Sequence, residues 1–186
     1  DNTIKEAIAQ AFFKESQKEA VEKIERVFDI SNDFGEIFEY ASKGKNFDNI
    51  EVVPGKPVNV MLPVKVTEVS EAFRICGMPC AIEHKYDGFR VLINKKDNEI
   101  KLFTRRLEEV TNQFPDVVKV IKENVNGASF MLDSEVVGYD PKTKKYLPFE
   151  AISQRIKRKY DIEKLERDLP VEINIFDILY YNGKSI

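Results

Sequence analysis

Glu83-His84-Lys85-Tyr86-Asp87-Gly88-Phe89-Arg90 places one lysine between apolar neighbours and follows it at once with an Asp-Gly corner. Ala81 and Ile82 precede it, and Val91 and Ile93 follow it at alternate positions. This spacing predicts two buried strands, Ala81 to His84 and Phe89 to Asn94, joined by a tight turn. A lysine held in such surroundings is desolvated, and desolvation favours the free amine. A free amine is a nucleophile, and phosphorus is one electrophile it can attack. The plainer alternative is a hairpin turn with an exposed lysine, and Lys-x-Asp-Gly alone does not decide between them.

Working outward, the strands continue. Lys95 to Asn98 read as a turn and Ile100 to Thr104 as a returning strand. Pro115 opens a helix to about residue 123. Phe130 to Tyr139 is a strand closed by the Asp140-Pro141 turn. Two polar helices follow at 150–159 and 162–167, and Val171 to Tyr181 is a last strand before the Asn182-Gly183 turn. Short connections between successive strands favour a largely antiparallel sheet with helices packed on it.

Upstream the periodicity becomes helical. Ile4, Ala7, Ile8, Ala11 and Phe12 share a face after a Thr3–Glu6 capping box. Val21, Ile24, Val27 and Phe28 make a second stripe. Ser31-Asn32-Asp33 resets the cap for a third stripe, Phe34, Ile37, Phe38 and Ala41, which Gly44 ends. Residues 45–63, with Asn46, Asp48, Pro54, Gly55, Pro57 and Pro63, read as a linker. Met61-Leu62 reads as an apolar plug onto the next domain, and Thr67 as the cap of a short helix to Arg74. The fold class is therefore α+β: a helical segment with linker over 1–55, then a sheet domain over 56–186.

Composition narrows the class. Of the 186 residues, 42% are hydrophobic and 33% charged, which suits a soluble globular chain. No apolar run approaches the roughly 20 residues of a membrane span, and Asp1-Asn2-Thr3 does not open a signal peptide. Net charge is −3, which does not advertise nucleic-acid binding but leaves room for a local basic groove. Cys76 and Cys80, with a single His in the chain, are a poor zinc set. They read as small buried hydrophobes in a reducing cytoplasm.

Several side chains suit chemistry around Lys85. Glu83, two positions before it, faces the same way on a strand. Arg90 suits an anion or a sugar. Thr104-Arg105-Arg106 ends a strand with two guanidinium groups fit for phosphate. Asp133-Ser134-Glu135 sets carboxylates in an apolar strand, where each needs a ribose hydroxyl, a metal or an arginine. Phe176 is placed to stack on a base or to fill the core. Glu83 also reads as a strand-surface ion pair, and Arg105 and Arg106 as solvated strand-end charges. The basic run Gln154 to Lys159 reads first as a solvated helix face and second as a nucleic-acid grip.

Glu83-His84-Lys85-Tyr86-Asp87-Gly88-Phe89-Arg90 resembles the adenylation motif of the Lys-x-Asp-Gly covalent nucleotidyltransferases. Phe103-Thr104-Arg105-Arg106, Phe130-Met131-Leu132-Asp133-Ser134-Glu135 and Phe176 to Gly183 extend the resemblance to ATP-dependent DNA ligases of the archaeal and eukaryotic replicative type. Val58 to Leu62 and the helical lead-in with Asp33-Phe34-Gly35-Glu36 are similar to that family as well. The resemblance implies an ATP-grasp-like nucleotidyltransferase domain preceded by the end of a DNA-binding domain. It implies Lys85 as the AMP-accepting nucleophile, Glu83 at the adenine amino group, Arg90 and Glu135 at the ribose, Arg105 near the phosphates and Phe176 against adenine. Glu135 would also lie at the metal, with ATP and magnesium as cofactors. The implied activity is sealing of nicked double-stranded DNA in replication, repair and recombination, with release of AMP and pyrophosphate. An RNA ligase or capping-type enzyme, or a non-catalytic DNA-binding fragment, are the alternatives.

The family's later Glu-Gly segment and two phosphate-gripping lysines are expected beyond Ile186, so residues 1–186 alone are expected to bind nucleotide weakly and seal poorly. A sliding clamp would be reached through another segment, because Phe12-Phe13 lacks a glutamine at clamp-peptide spacing. The resemblance places the protein in the cytoplasm of an archaeon or the nucleus of a eukaryote.

Overall fold

The computed structural model describes residues 2–47, 50–60 and 63–186. Three helices open the chain: α1 (Asn2–Phe12), α2 (Gln17–Ser31) and α3 (Phe34–Ser42). Their apolar stripes meet in a core of Ile8, Ala9, Ala20, Ile24, Val27 and Ile37, joined by Ile50. Caps explain the breaks. The Ser16 hydroxyl accepts from the Glu19 backbone N–H, Asn32 adopts the left-handed conformation that ends α2, and the Asp33 carboxylate accepts from the N–H groups of Gly35 and Glu36. The expected Thr3–Glu6 box does not cap α1, because the helix already includes Asn2 and Thr3 lies inside its first turn.

The linker straps this bundle to the sheet. Val52 and Val58 pack on a cluster of Leu92, Phe103 and Met131. The Gly55 N–H donates to Asn94 Oδ1 (3.1 Å), Lys56 pairs with Glu36 (3.1 Å), and the Asn59 N–H donates to the Asp29 carbonyl (2.9 Å). The expected Met61-Leu62 plug and the linker's Asp48 lie outside the described residues. The next helix, α4 (Val69–Cys76), starts after Glu68 rather than at a Thr67 cap, and Glu68 gives no side-chain capping bond. It buries no residue, so Cys76 is exposed and Cys80 half-buried, correcting the expectation that both sit in a core.

Among the described residues the strands are β1 (Phe89–Lys96), β2 (Glu99–Thr104), β3 (Ser129–Asp140), β4 (Lys145–Leu147), β5 (Val171–Tyr181) and β6 (Lys184–Ser185). They form one sheet in the order β2-β1-β3-β5-β6, with β4 on β3, and every pairing is antiparallel. The helices α5 (Pro115–Asn124), α6 (Phe149–Lys157) and α7 (Ile162–Asp168) fall where Pro115 and the polar periodicity put them. The short strands β4 and β6 have no counterpart in the sequence reading.

Alternation gives the sheet two faces. Val91, Ile93, Leu102, Phe130, Leu132 and Val136 point to a face covered by Val117 and Ile121 of α5 and Ile152 of α6. Leu92, Phe103 and Met131 point to the other, beneath the linker.

One expectation fails at the most consequential place. Ala81 to His84 is not a strand, and it is exposed, with Ile82 84% accessible. The reason lies in the register. β1 pairs with β3 as far as Phe89↔Val136, and the next positions of β3, Gly138 to Asp140, are taken on that side by β4. Residues before Phe89 therefore find no strand edge to continue along, and their backbone has no ladder to join.

Candidate active site

Residues on several elements converge on one open cleft of about 1510 Å³. β1 contributes Arg90, β3 Glu135, β5 Phe176, the end of β2 Arg105 and Arg106, and the stretch before β1 Glu83 and Lys85. The six side chains that the resemblance implies line this cleft together with Arg106, Asp133 does not, and Asn174, Ser153 and Lys157 join them unforeseen.

Lys85 is exposed instead of desolvated, because the strand expected to bury it is absent. Its ammonium donates to the Tyr86 carbonyl (3.2 Å). Glu83 likewise lies on an exposed segment rather than a strand face, and it makes no ion pair among the described residues. Its strand-surface ion-pair alternative therefore falls. Arg105 and Arg106 are exposed, and no ion pair occupies either guanidinium among the described residues.

Gly88 explains the corner physically. A Cβ there would lie 2.3 Å from the Val136 carbonyl oxygen, so only glycine lets the chain approach β3 this closely. Asp87 turns outward, and its carboxylate accepts from the Phe149 N–H (3.4 Å) at the start of α6. Pro148, the residue preceding α6, supplies no side-chain cap of its own.

The carboxylates of β3 have different partners. Asp133, 1% accessible, receives Arg90 bidentately through Nε (2.8 Å) and Nη2. The arginine that a buried carboxylate needs is thus Arg90, across the β1–β3 ladder. Glu135 is Arg90's direct cross-strand neighbour and stays half-open to the cleft. Burial pushes its carboxyl above the usual carboxylate range. Lys85, the Gly88 backbone and Arg90 pull the other way, and Asp133 adds to the rise. Lys85 and Glu135 are therefore electrostatic neighbours.

Phe176 is 43% exposed, against the core alternative, and its side chain lines the cleft. The Arg90 guanidinium carbon stands 5.9 Å from its centroid. A flat ring, a carboxylate with a free lone pair and several cations around one exposed amine suit a nucleotide: base on Phe176, sugar at Glu135, phosphates toward Lys85 and the arginines.

Arg155 escaped the sequence reading. It is fully buried, pairs with Asp116 through Nη1 (2.9 Å) and Nη2 (2.7 Å), donates to the Leu169 and Gln113 carbonyls, and lies 4.6 Å from the centre of Phe114. It corrects the view of 154–159 as a wholly solvated face. Its spacing held the signal, because Ile152, Arg155 and Ile156 fall on one helical face.

The ATP-dependent DNA ligase domain family model matches residues 60–186. DNA ligases of Nanoarchaeum equitans, Thermoplasma volcanium and Pyrobaculum islandicum are 44%, 39% and 36% identical over the whole chain. The chain spans 32%, 32% and 31% of their respective lengths. The ligase domain of M. tuberculosis LigD overlays on 56% of the chain, and on 30% of its own, with TM-score 0.41 and 25% identity. With the family match running from the linker through the whole sheet, the chain belongs to the ATP-dependent DNA ligase domain family.

Proposed function

We propose that this chain carries the lysine-adenylating part of a ligase that seals nicks in duplex DNA, using ATP. One observation supports this most: a single cleft gathers the exposed Lys85 amine, the carboxylate of Glu135, the face of Phe176 and the cations Arg90 and Arg105. The Lys85 ammonium first gives a proton to solvent, and the free amine attacks the α-phosphorus of ATP. A nitrogen–phosphorus bond forms, the bond from the α-phosphorus to the bridging oxygen breaks, and pyrophosphate leaves. The amine gives up a second proton to solvent in the process. AMP then passes to the nick's 5′-phosphate, and the 3′-hydroxyl displaces it, joining the strands and releasing AMP. Replication, repair and recombination supply such nicks.

Each residue has a distinct task. Arg90, held by Asp133 through two of its nitrogens, retains Nη1 for a ribose or phosphate oxygen. Arg105 and Arg106 offer fork-shaped donors to phosphates. Glu83 accepts from the adenine amino group, and guanine, presenting an oxygen there, leaves the carboxylate unpaired.

The donor set also fits magnesium. Magnesium commonly takes one or two carboxylates together with substrate phosphates and waters, and Glu135 is a carboxylate not committed to an arginine. Bound there, the ion would neutralise phosphate charge.

The test is intact-mass and peptide mass spectrometry of the complete ligase after incubation with ATP and magnesium. An AMP adduct on Lys85, absent in Lys85→Ala and Lys85→Arg, is expected. An adduct that survives Lys85→Ala would defeat the assignment.

A further inference from the structure

Lys85 sits in a stretch without strand pairing, so something else must fix where its amine points. Residues 81–85 and Asp87 are exposed, and Tyr86 alone within 81–87 is half-buried by packing onto the sheet. Its ring meets Tyr146 of β4 edge-on, 6.0 Å between centres at 82°. Tyr146 in turn is fixed from two sides. Its ring contacts Tyr139 of β3 (6.3 Å, 63°), and its hydroxyl donates to Glu172 Oε1 of β5.

We infer that Tyr146 is a positioning residue for Lys85, acting as the seat on which Tyr86 holds the lysine-bearing stretch over the cleft. This rests on the adenylation reading above. The same hairpin strand that denies residues 81–87 a ladder edge provides this replacement contact. β4 takes the edge at Gly138 to Asp140 and presents Tyr146 from its centre. Tyr146 does not line the cleft, so its effect on the chemistry passes through Tyr86. The Asp87–Phe149 bond and the Gly88 approach fix the chain after Tyr86, whereas no hydrogen bond joins residues 81–84 to the sheet among the described residues.

Tyr146 is 48% exposed, so its replacement leaves the core intact. An edge-on aromatic contact is worth about a three- to tenfold equilibrium factor. Two measurements on wild type, Tyr146→Phe and Tyr146→Ala test the seat. The first is the rate of tryptic cleavage after Lys85 in the complete ligase. The second is single-turnover lysine-AMP formation in the complete ligase at varied ATP. In Tyr146→Ala, cleavage after Lys85 should quicken about three- to tenfold while β1 and β3 stay uncut. The adenylation rate should fall by a similar factor, with half-saturating ATP unchanged. Tyr146→Phe, which keeps the ring, should recover most of the rate.

Unchanged cleavage after Lys85 in Tyr146→Ala overturns the seat. So does a rate loss accompanied by faster cleavage throughout the sheet, or Tyr146→Phe as impaired as Tyr146→Ala. A wild-type ligase that forms no lysine-AMP would instead overturn the adenylation reading, and the cleavage data would still decide the contact.

Discussion

The two faces of the sheet are built from the same strands and behave as different materials. On one face Val91, Ile93, Leu132 and Val136 are closed under α5 and α6, and Arg155 of α6 is buried beside Phe114 with its guanidinium paired to Asp116. On the other, one residue out of phase, the linker covers Leu92 and Met131, Asp133 is buried against Arg90, and Arg90 and Glu135 open onto the cleft. Strand alternation alone separates a dry core from a charged site, with no loop needed to carry the carboxylates. The closed face should answer to substitution with lost stability, and the open face with lost chemistry.

Arg155→Met gives the largest expected loss. It removes a fully buried charge from a bidentate pair and leaves Asp116 and two carbonyls without their donor. Breaking one side of a buried pair costs about 3–5 kcal/mol. Urea unfolding should show it as a lowered midpoint, and a loss below about 1 kcal/mol, the range of an exposed pair, would mean the face is wetter than its geometry says. The double variant Arg155→Met with Asp116→Leu should recover much of the loss, since a matched apolar pair is tolerated where a lone charge is not.

Gly88→Ala comes next, because Gly88 joins the faces. An added Cβ meets backbone, not a flexible side-chain end, so the Phe89↔Val136 end of the ladder must open. Overpacking of this kind costs about 1–3 kcal/mol. Adenylation should fall further than stability, since the displaced corner carries Lys85. Thermal melting beside single-turnover AMP transfer separates the two, and a variant with wild-type melting and wild-type transfer would dismiss the close approach as unimportant.

Much of this division was legible in the sequence. Period-two apolar residues gave β1, β2, β3 and β5 their places, and the carboxylates in an apolar strand announced a need for partners. Two things were not legible, for a shared physical reason. Ala81 and Ile82 have the composition of a strand, but a strand also requires an unoccupied edge, and β4 holds that edge. Arg155 has the composition of a surface run, yet its place between Ile152 and Ile156 turns it inward to meet a carboxylate 39 positions away. Local pattern reports what a segment can do, and a competing segment elsewhere in the chain decides whether it does.

Asp87→Ala should have a smaller effect. Its carboxylate stands in for the cap that Pro148 lacks, through one 3.4 Å bond at an exposed site. Loss of an N-cap costs about 0.5–2 kcal/mol, and this long bond belongs at the low end. Hydrogen exchange in the first turn of α6 should quicken while the β1–β3 ladder stays unchanged. Quickening of both would mean that Asp87 braces the sheet itself.

The smallest expected effect is a pH dependence, and it sits on the open face. Glu135 has its carboxyl raised above the ordinary 4.5, first because burial disfavours its charge. A folded-state value above the unfolded one means the folded chain holds this proton more tightly. The contribution is therefore fully present below pH 4.5 and is lost as pH rises through the raised value. Glu135→Gln removes the titration. The stability of wild type relative to Glu135→Gln should therefore decline between about pH 4 and about pH 7, as urea midpoints at the two pH values would show. Lys85 opposes the rise, so Lys85→Met should raise the Glu135 carboxyl further and steepen the decline. If Lys85→Met leaves the profile unchanged, the amine and the carboxylate do not sense one another across the cleft, and the grouping of Lys85 with the open face fails. A decline that steepens in Lys85→Met, with no change in Arg155→Met, would place the coupling on the open face alone.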